Sequence, residues 1–188
     1  MTLTNLTTQT ITTEIGTIYV WKVIDYAEQI EKGLSKCHVE KQAILSKLKE
    51  LGLKDALYYL ENGQPKLKTT DHKHISISHS NDWMAIYLAK IPVGIDIEFF
   101  RPSIFDGKHY FENENEASLN YSTHELQLIW GAKEAFYKQL EGAIPDLKNE
   151  VTIFEIDHSK QELQVNYSSK NYCLKFKLFD SLYLVYTE

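Results

Sequence analysis

Two carboxylates stand one residue apart in the stretch VGIDIE at positions 93–98. In an extended strand alternate side chains point to opposite faces. Val93, Ile95 and Ile97 therefore line one face, and Gly94, Asp96 and Glu98 the other. A half-wetted antiparallel strand produces such alternation without any function. Aspartate is nevertheless a poor strand residue, and two like charges on one face repel unless a cation lies between them. A second group of chemically capable residues sits in WGAKEAFYK (130–138), where Trp130, Glu134 and Lys138 recur at helical spacing. Lys133 falls within the apolar stripe formed by Leu126, Ile129, Trp130, Phe136, Tyr137 and Leu140. It either snorkels along that face to water or points its ammonium at an anion. Glu134 either pairs with Lys138 four residues on or does chemistry. A third group is HISISHS (74–80): Ser76 and Ser78 share a strand face and His79 emerges at its end. Their hydroxyls and an imidazole titrating near neutrality suit a phosphate, although a lone histidine is as readily a packed or turn residue.

The elements that must position these groups are legible in the pattern. TITTEIGTIYVWKV (10–23) predicts two strands about a turn at Gly16, and residues 36–51 predict a helix with Cys37, Ile44, Leu48 and Leu51 on one stripe and Gly52 as its stop. ALYYLENGQPKL (56–67) is strand-like with an Asn62-Gly63 turn, HISIS and WMAIYLAKI are strands joined at Ser80-Asn81-Asp82, and VGIDIE follows. Residues 99–120 have weak periodicity, and ENENE (112–116) reads as an exposed helix start or loop. Ser122 with Glu125 forms a capping box, with Tyr121 and Leu126 placed as a hydrophobic staple, for a helix running to a cap at Gly142. VTIFEI, ELQVNY, YCLKFKLF and LYLVYT close the chain as strands. Strands cluster instead of alternating with helices, which indicates an α+β fold.

Composition narrows the class. With 188 residues, 43% of them hydrophobic and 24% charged, the chain has material for one large domain or two small ones. No apolar run is long enough to span a bilayer, and the Thr-rich N-terminus does not read as a signal peptide. Cys37 and Cys173 match no metal spacing and are expected as free thiols in a reducing cytoplasm. The net charge of −6 hides an asymmetry. Residues 32–73 hold nine lysines against five acids, a local +4, so the remainder carries −10. That basic segment is either a solvated lysine-rich helix or a face for an anionic ligand. No nucleic-acid motif is visible.

Taken in order, SISHS, VGIDIE and WGAKEAFYK resemble the phosphopantetheinyl transferase superfamily, and ENGQPKL (61–67) looks like its Gly-Lys-Pro turn. The resemblance covers about residues 58–140 and is to the two-unit, surfactin-type members. It implies a pseudo-dimer of two similar α/β units, an N-terminal one (1–92) and a C-terminal one (93–188), with the active site between them. It implies transfer of the 4′-phosphopantetheine arm of coenzyme A to a serine of an apo carrier protein, releasing adenosine 3′,5′-bisphosphate. The alternative is a relative that binds coenzyme A or a carrier protein without transfer.

Residue by residue, the resemblance puts Mg²⁺ on Asp96, Glu98 and Glu134, with Glu134 also as the base for the incoming hydroxyl. It assigns Lys133 and Lys138 to the phosphates, and Ser78 with His79 to coenzyme A, while Gly94 lets the ligand approach. The turn lysine is replaced by Gln64, leaving Lys66 as substitute, and the N-terminal third lacks the family's arginines, leaving Lys41 or Lys47 as stand-ins. A cytoplasmic monomer, with no nucleic-acid or membrane partner, is the resulting expectation.

Overall fold

The computed structural model describes residues 8–53, 56–69 and 73–188; most of the Thr-rich N-terminal stretch, residues 1–7, lies outside them. The first half of the chain runs β1 (Thr8–Thr12), β2 (Gly16–Lys22), α1 (Tyr26–Glu31), α2 (Lys36–Glu50), β3 (Leu57–Tyr59), β4 (Pro65–Leu67), β5 (His74–Ser80) and β6 (Trp83–Ala89). The second runs β7 (Ile95–Phe99), α3 (Ile104–Gly107), a 3₁₀ turn, α4 (Glu114–Ala117), α5 (Thr123–Gln139), α6 (Leu147–Glu150), β8 (Val151–Asp157), β9 (Glu162–Tyr167), β10 (Lys170–Phe179) and β11 (Leu182–Thr187). Two antiparallel sheets result, one ordered β1-β2-β6-β5-β4-β3 and the other β7-β11-β10-β9-β8. This is the mixed α and β architecture that the clustered strands predict.

Strand alternation builds a four-layer stack from these parts. Ile18, Val20, Ala85 and Tyr87 from the first sheet meet Ile95, Ile97, Leu182 and Leu184 from the second, forming a core between the sheets. The opposite face of the first sheet, with Met84, Ile86 and Leu88, takes Ile44 and Leu48 of α2. The opposite face of the second sheet, with Val185, Leu174, Phe176 and Val165, takes Leu126, Ile129, Ala132 and Phe136 of α5. The order is thus α2, sheet, sheet, α5. Cys37, expected on the inner stripe of α2, is exposed, and Val39 is buried instead.

Helix α5 starts where the sequence requires. Ser122 and Glu125 form both bonds of the capping box. The chain leaves it at Leu140, and Glu141 and Gly142 follow with φ of 57° and 80°. One expectation between residues 99 and 120 holds in part. ENENE does start a helix, but it is not exposed throughout, because Asn113 and Glu116 are buried. They make a second capping box, at the start of α4, and Glu116 also accepts the backbone N–H of Ile153 at 2.7 Å. Among the described residues no helix is long and apolar enough to cross a membrane.

Candidate active site

The seam between the sheets holds the chemistry. β7 is the edge strand of its sheet, paired only with β11, so its outward N–H groups need partners. β5 of the other sheet supplies them as hydroxyls. Ser76 Oγ accepts from Ile95 N at 3.1 Å, Ser78 Oγ from Ile97 N at 3.2 Å, and Ser80 Oγ from Phe99 N at 3.2 Å. The period of two in S-x-S-x-S matches the period of two of the free amides. Two of these serines also donate: Ser78 Oγ to Asp96 Oδ1 at 2.9 Å and Ser80 Oγ to Glu98 Oε2 at 3.1 Å.

Around the carboxylates, α5 brings Lys138, whose Nζ lies 2.8 Å from Asp96 Oδ1 and also donates to Ile95 O at 3.1 Å and Ser78 Oγ at 3.3 Å. The other oxygen of Asp96 is buried without a hydrogen-bond partner and lies close to Gly131 of α5. Arg101 Nη2 approaches Glu98 Oε1 at 3.7 Å. Burial first, and then the neighbouring Asp96 charge, push the Glu98 carboxyl above its ordinary range against the pull of Arg101, Ser80 and Lys138. Glu134 is likewise raised by burial, with Asp96 and Glu98 adding to the effect and Lys138 opposing it. Glu134 therefore feels the charges of Asp96 and Glu98, and Glu98 that of Asp96, in one partly dry place.

Helix α5 crosses β7 closely enough to explain Gly94. A Cβ there would lie 1.7 Å from the Ala135 carbonyl oxygen. The glycine makes room for the helix, a correction to its expected role of admitting a ligand. On the same side, a cleft of about 340 Å³ opens between the β3–β4 hairpin and the end of α5, bordered by Gln64, Pro65, Ile75, Tyr137, Lys138 and Glu141. Lys66 of β4 forms an ion pair with Glu141 just beyond the end of α5, and His74 Nδ1 stands 3.7 Å from the same carboxylate. Burial and the Lys66 charge hold His74 below its usual range.

The structure thus brings Asp96, Glu98, Glu134, Lys138 and Ser78 together and keeps other expected residues apart. Lys133 is 0% exposed, with its Nζ donating to Phe111 O at 2.7 Å and Lys148 O at 3.0 Å and lying 2.8 Å from Glu116 Oε2. Its ammonium neither reaches water nor faces the cleft, which corrects both expectations for it. Burial lowers Lys133 and raises Glu116, and each pulls the other back.

Ser78 is 6% exposed and its hydroxyl is engaged by Ile97, Asp96 and Lys138, so it does not stand free for a phosphate. His79 points the other way from the serines, half exposed, with Nδ1 3.4 Å from Glu40 Oε1. Lys47 is buried against Trp21 and pairs with Glu50, and Lys41 is exposed on the same helix. Glu116, Ser80 and Glu141 were not anticipated. Asn113-x-x-Glu116 and S-x-S-x-S both carry recognisable spacing, whereas nothing in the sequence singles out Glu141.

A hard divalent cation suits the donors present. All three carboxylates offer oxygen, the ligand type Mg²⁺ prefers. One Asp96 oxygen has no protein partner, and positive charge would offset the burial and the neighbouring carboxylate charge that together raise Glu98 and Glu134. Among the described residues no three His, Cys, Asp or Glu side chains already converge at ligating distance.

The family model of the 4′-phosphopantetheinyl transferase superfamily matches residues 92–186, which is β7 through β11 with the helices between them, and the chain belongs to that superfamily. Among its particular relatives, a 4′-phosphopantetheinyl transferase of Bacillus subtilis is 32% identical over 85 residues, covering 42% of this chain and 38% of the relative. The 4′-phosphopantetheinyl transferase psf-1 of Bacillus pumilus is 29% identical over 102 residues, 50% of this chain and 44% of the relative. The 4′-phosphopantetheinyl transferase Sfp of B. subtilis strain 168 is 32% identical over 85 residues. The chain therefore spans less than half the length of the curated relatives it matches.

Proposed function

We propose that this protein transfers the 4′-phosphopantetheine arm of coenzyme A to a serine hydroxyl of an apo carrier protein. The observation that carries the reading is the meeting of Asp96, Glu98 and Glu134 with Lys138, whose side chain also borders a cleft between the first sheet and the end of α5. In the reaction the serine oxygen bonds to the β-phosphorus of the coenzyme A pyrophosphate. The bond from that phosphorus to the bridging oxygen breaks, and adenosine 3′,5′-bisphosphate leaves with the electron pair. Little covalent work falls to the protein, so alignment, charge neutralisation and proton removal make up its contribution.

Glu134 takes the serine proton, and its raised pKa makes it a better base than an ordinary glutamate. Asp96, Glu98 and Glu134 would hold Mg²⁺, which supplies charge neutralisation on the pyrophosphate when bound. Lys138 and Lys66 face the phosphates after leaving their internal partners Asp96 and Glu141, and the half-exposed His79, on the other face of β5 beside Glu40, meets the outer part of coenzyme A. The two sheets with their flanking helices act as the two units of a pseudo-dimer, residues 1–92 and 93–188, working as a cytoplasmic monomer. The buried Lys133 is left out of this scheme.

Intact-mass measurement of an apo carrier protein incubated with the protein, coenzyme A and Mg²⁺ is the test. Transfer adds about 340 Da to the carrier protein, and Asp96→Ala should abolish the gain. Absence of any gain across carrier proteins of several pathways, with coenzyme A still binding, would favour a relative that binds without transfer.

A further inference from the structure

We infer that Ser78 and Ser80 are positioning residues: from the opposite sheet they hold the carboxylates Asp96 and Glu98 in the orientation that receives the cation. This rests on the reading of those carboxylates as a cation site, but assigns the serines to the protein's own acids instead of to the phosphates of coenzyme A.

The geometry is repeated and has an internal control. β5 and β7 run past each other with serines at 76, 78 and 80 opposite the outward amides of Ile95, Ile97 and Phe99. Each serine therefore accepts a backbone N–H, which fixes its oxygen in place. An accepting hydroxyl still has its own proton to give, and the side chain preceding each amide determines where it goes. Before Ile97 comes Asp96, whose Oδ1 receives the Ser78 proton; before Phe99 comes Glu98, whose Oε2 receives that of Ser80. The residue before Ile95 is Gly94, so Ser76 makes the same amide bond beside a position with no carboxylate to hold. Three serines thus seal the seam, and two of them also orient an acid.

A hydroxyl that donates to one carboxylate oxygen leaves the second oxygen for another partner. At Asp96 that second oxygen has no protein partner at all. Partners of metal-ligating groups commonly matter to metal affinity almost as much as the ligands themselves, because they remove the side-chain freedom that binding would otherwise have to freeze.

The test uses the full chain, with Mn²⁺ alone as the probe and no coenzyme A present. Mn²⁺ affinity is read by electron paramagnetic resonance of the free ion, and folding by thermal denaturation. Ser80→Ala should weaken Mn²⁺ binding by about tenfold or more, and Ser80→Thr, which keeps the hydroxyl, should restore it to within a few-fold of the parent. Ser76→Ala should lower the melting temperature through its lost seam bond but leave Mn²⁺ affinity where it was. Ser78→Ala should behave as Ser80→Ala does; if that more buried variant does not fold, the Ser80 pair decides. Parental Mn²⁺ affinity in Ser80→Ala, or an equal loss in Ser76→Ala, overturns the inference while the cation site stands. A parent protein that binds no Mn²⁺ removes the cation site, and the inference with it.

Discussion

At the residue scale, Lys133 shows how one side chain can satisfy a family pattern and still be structural. All three hydrogen-bonding directions of its ammonium are filled, by Phe111 O, Lys148 O and Glu116. Those contacts join α5 to the 99–120 segment and to α6. Replacing the lysine by methionine removes the positive charge paired with a carboxylate that is 0% exposed. Breaking a buried pair from one side typically costs about 3–5 kcal/mol. Lys133→Met is therefore expected to lose roughly that much stability in chemical denaturation. Glu116→Ala should lose a comparable amount, and the double variant less than the sum of the two, because both singles break the same interaction. Parent-like stability of Lys133→Met would show that the pair contributes nothing to folding.

At the element scale, the crossing of α5 over β7 controls the site, because it sets Glu134 and Lys138 against Asp96. The crossing depends on a residue without a side chain. Gly94→Ala would press a methyl group into the Ala135 carbonyl, which is helix backbone and cannot swing aside. The expected loss exceeds about 3 kcal/mol, beyond ordinary overpacking. Gly107→Ala, where an added Cβ meets nothing within 4 Å and φ is −87°, should be neutral or slightly stabilising. Comparing the two melting temperatures checks the claim, and equal values would reject it.

These elements also show what the sequence could reveal. Strands with clean alternation, such as HISIS, WMAIYLA and VGIDIE, and a helix with a capping box, such as α5, declare themselves locally. The grouping of Asp96, Glu98 and Glu134 is not local in this sense; it comes from the family resemblance carried by the order of three motifs. Glu116 was hidden because ENENE has no periodicity, and its burial depends on a lysine 17 positions later. The seam was hidden because its bonds join strands from different sheets, and no local pattern says which hydroxyl faces which amide. Gly94 was visible as a close approach, but the approaching body was a helix.

At the scale of the whole molecule, the two sheets share a buried core as continuous as those beneath α2 and α5. They are expected to open together. β7 offers a way to observe this, since its odd-numbered amides at 95, 97 and 99 are held by hydroxyls of the other sheet. The even-numbered amides at 96 and 98 point inward, to β11 of their own sheet. Deuterium uptake along these five residues consequently monitors two different partings of the protein, interleaved by parity. If the sheets separate only in global unfolding, all five protons exchange at one common slow rate under native conditions. A sawtooth, with 95, 97 and 99 exchanging faster than 96 and 98, would mean that the halves come apart while each remains folded. A strand of five amides would then register how often the cleft is split along its length.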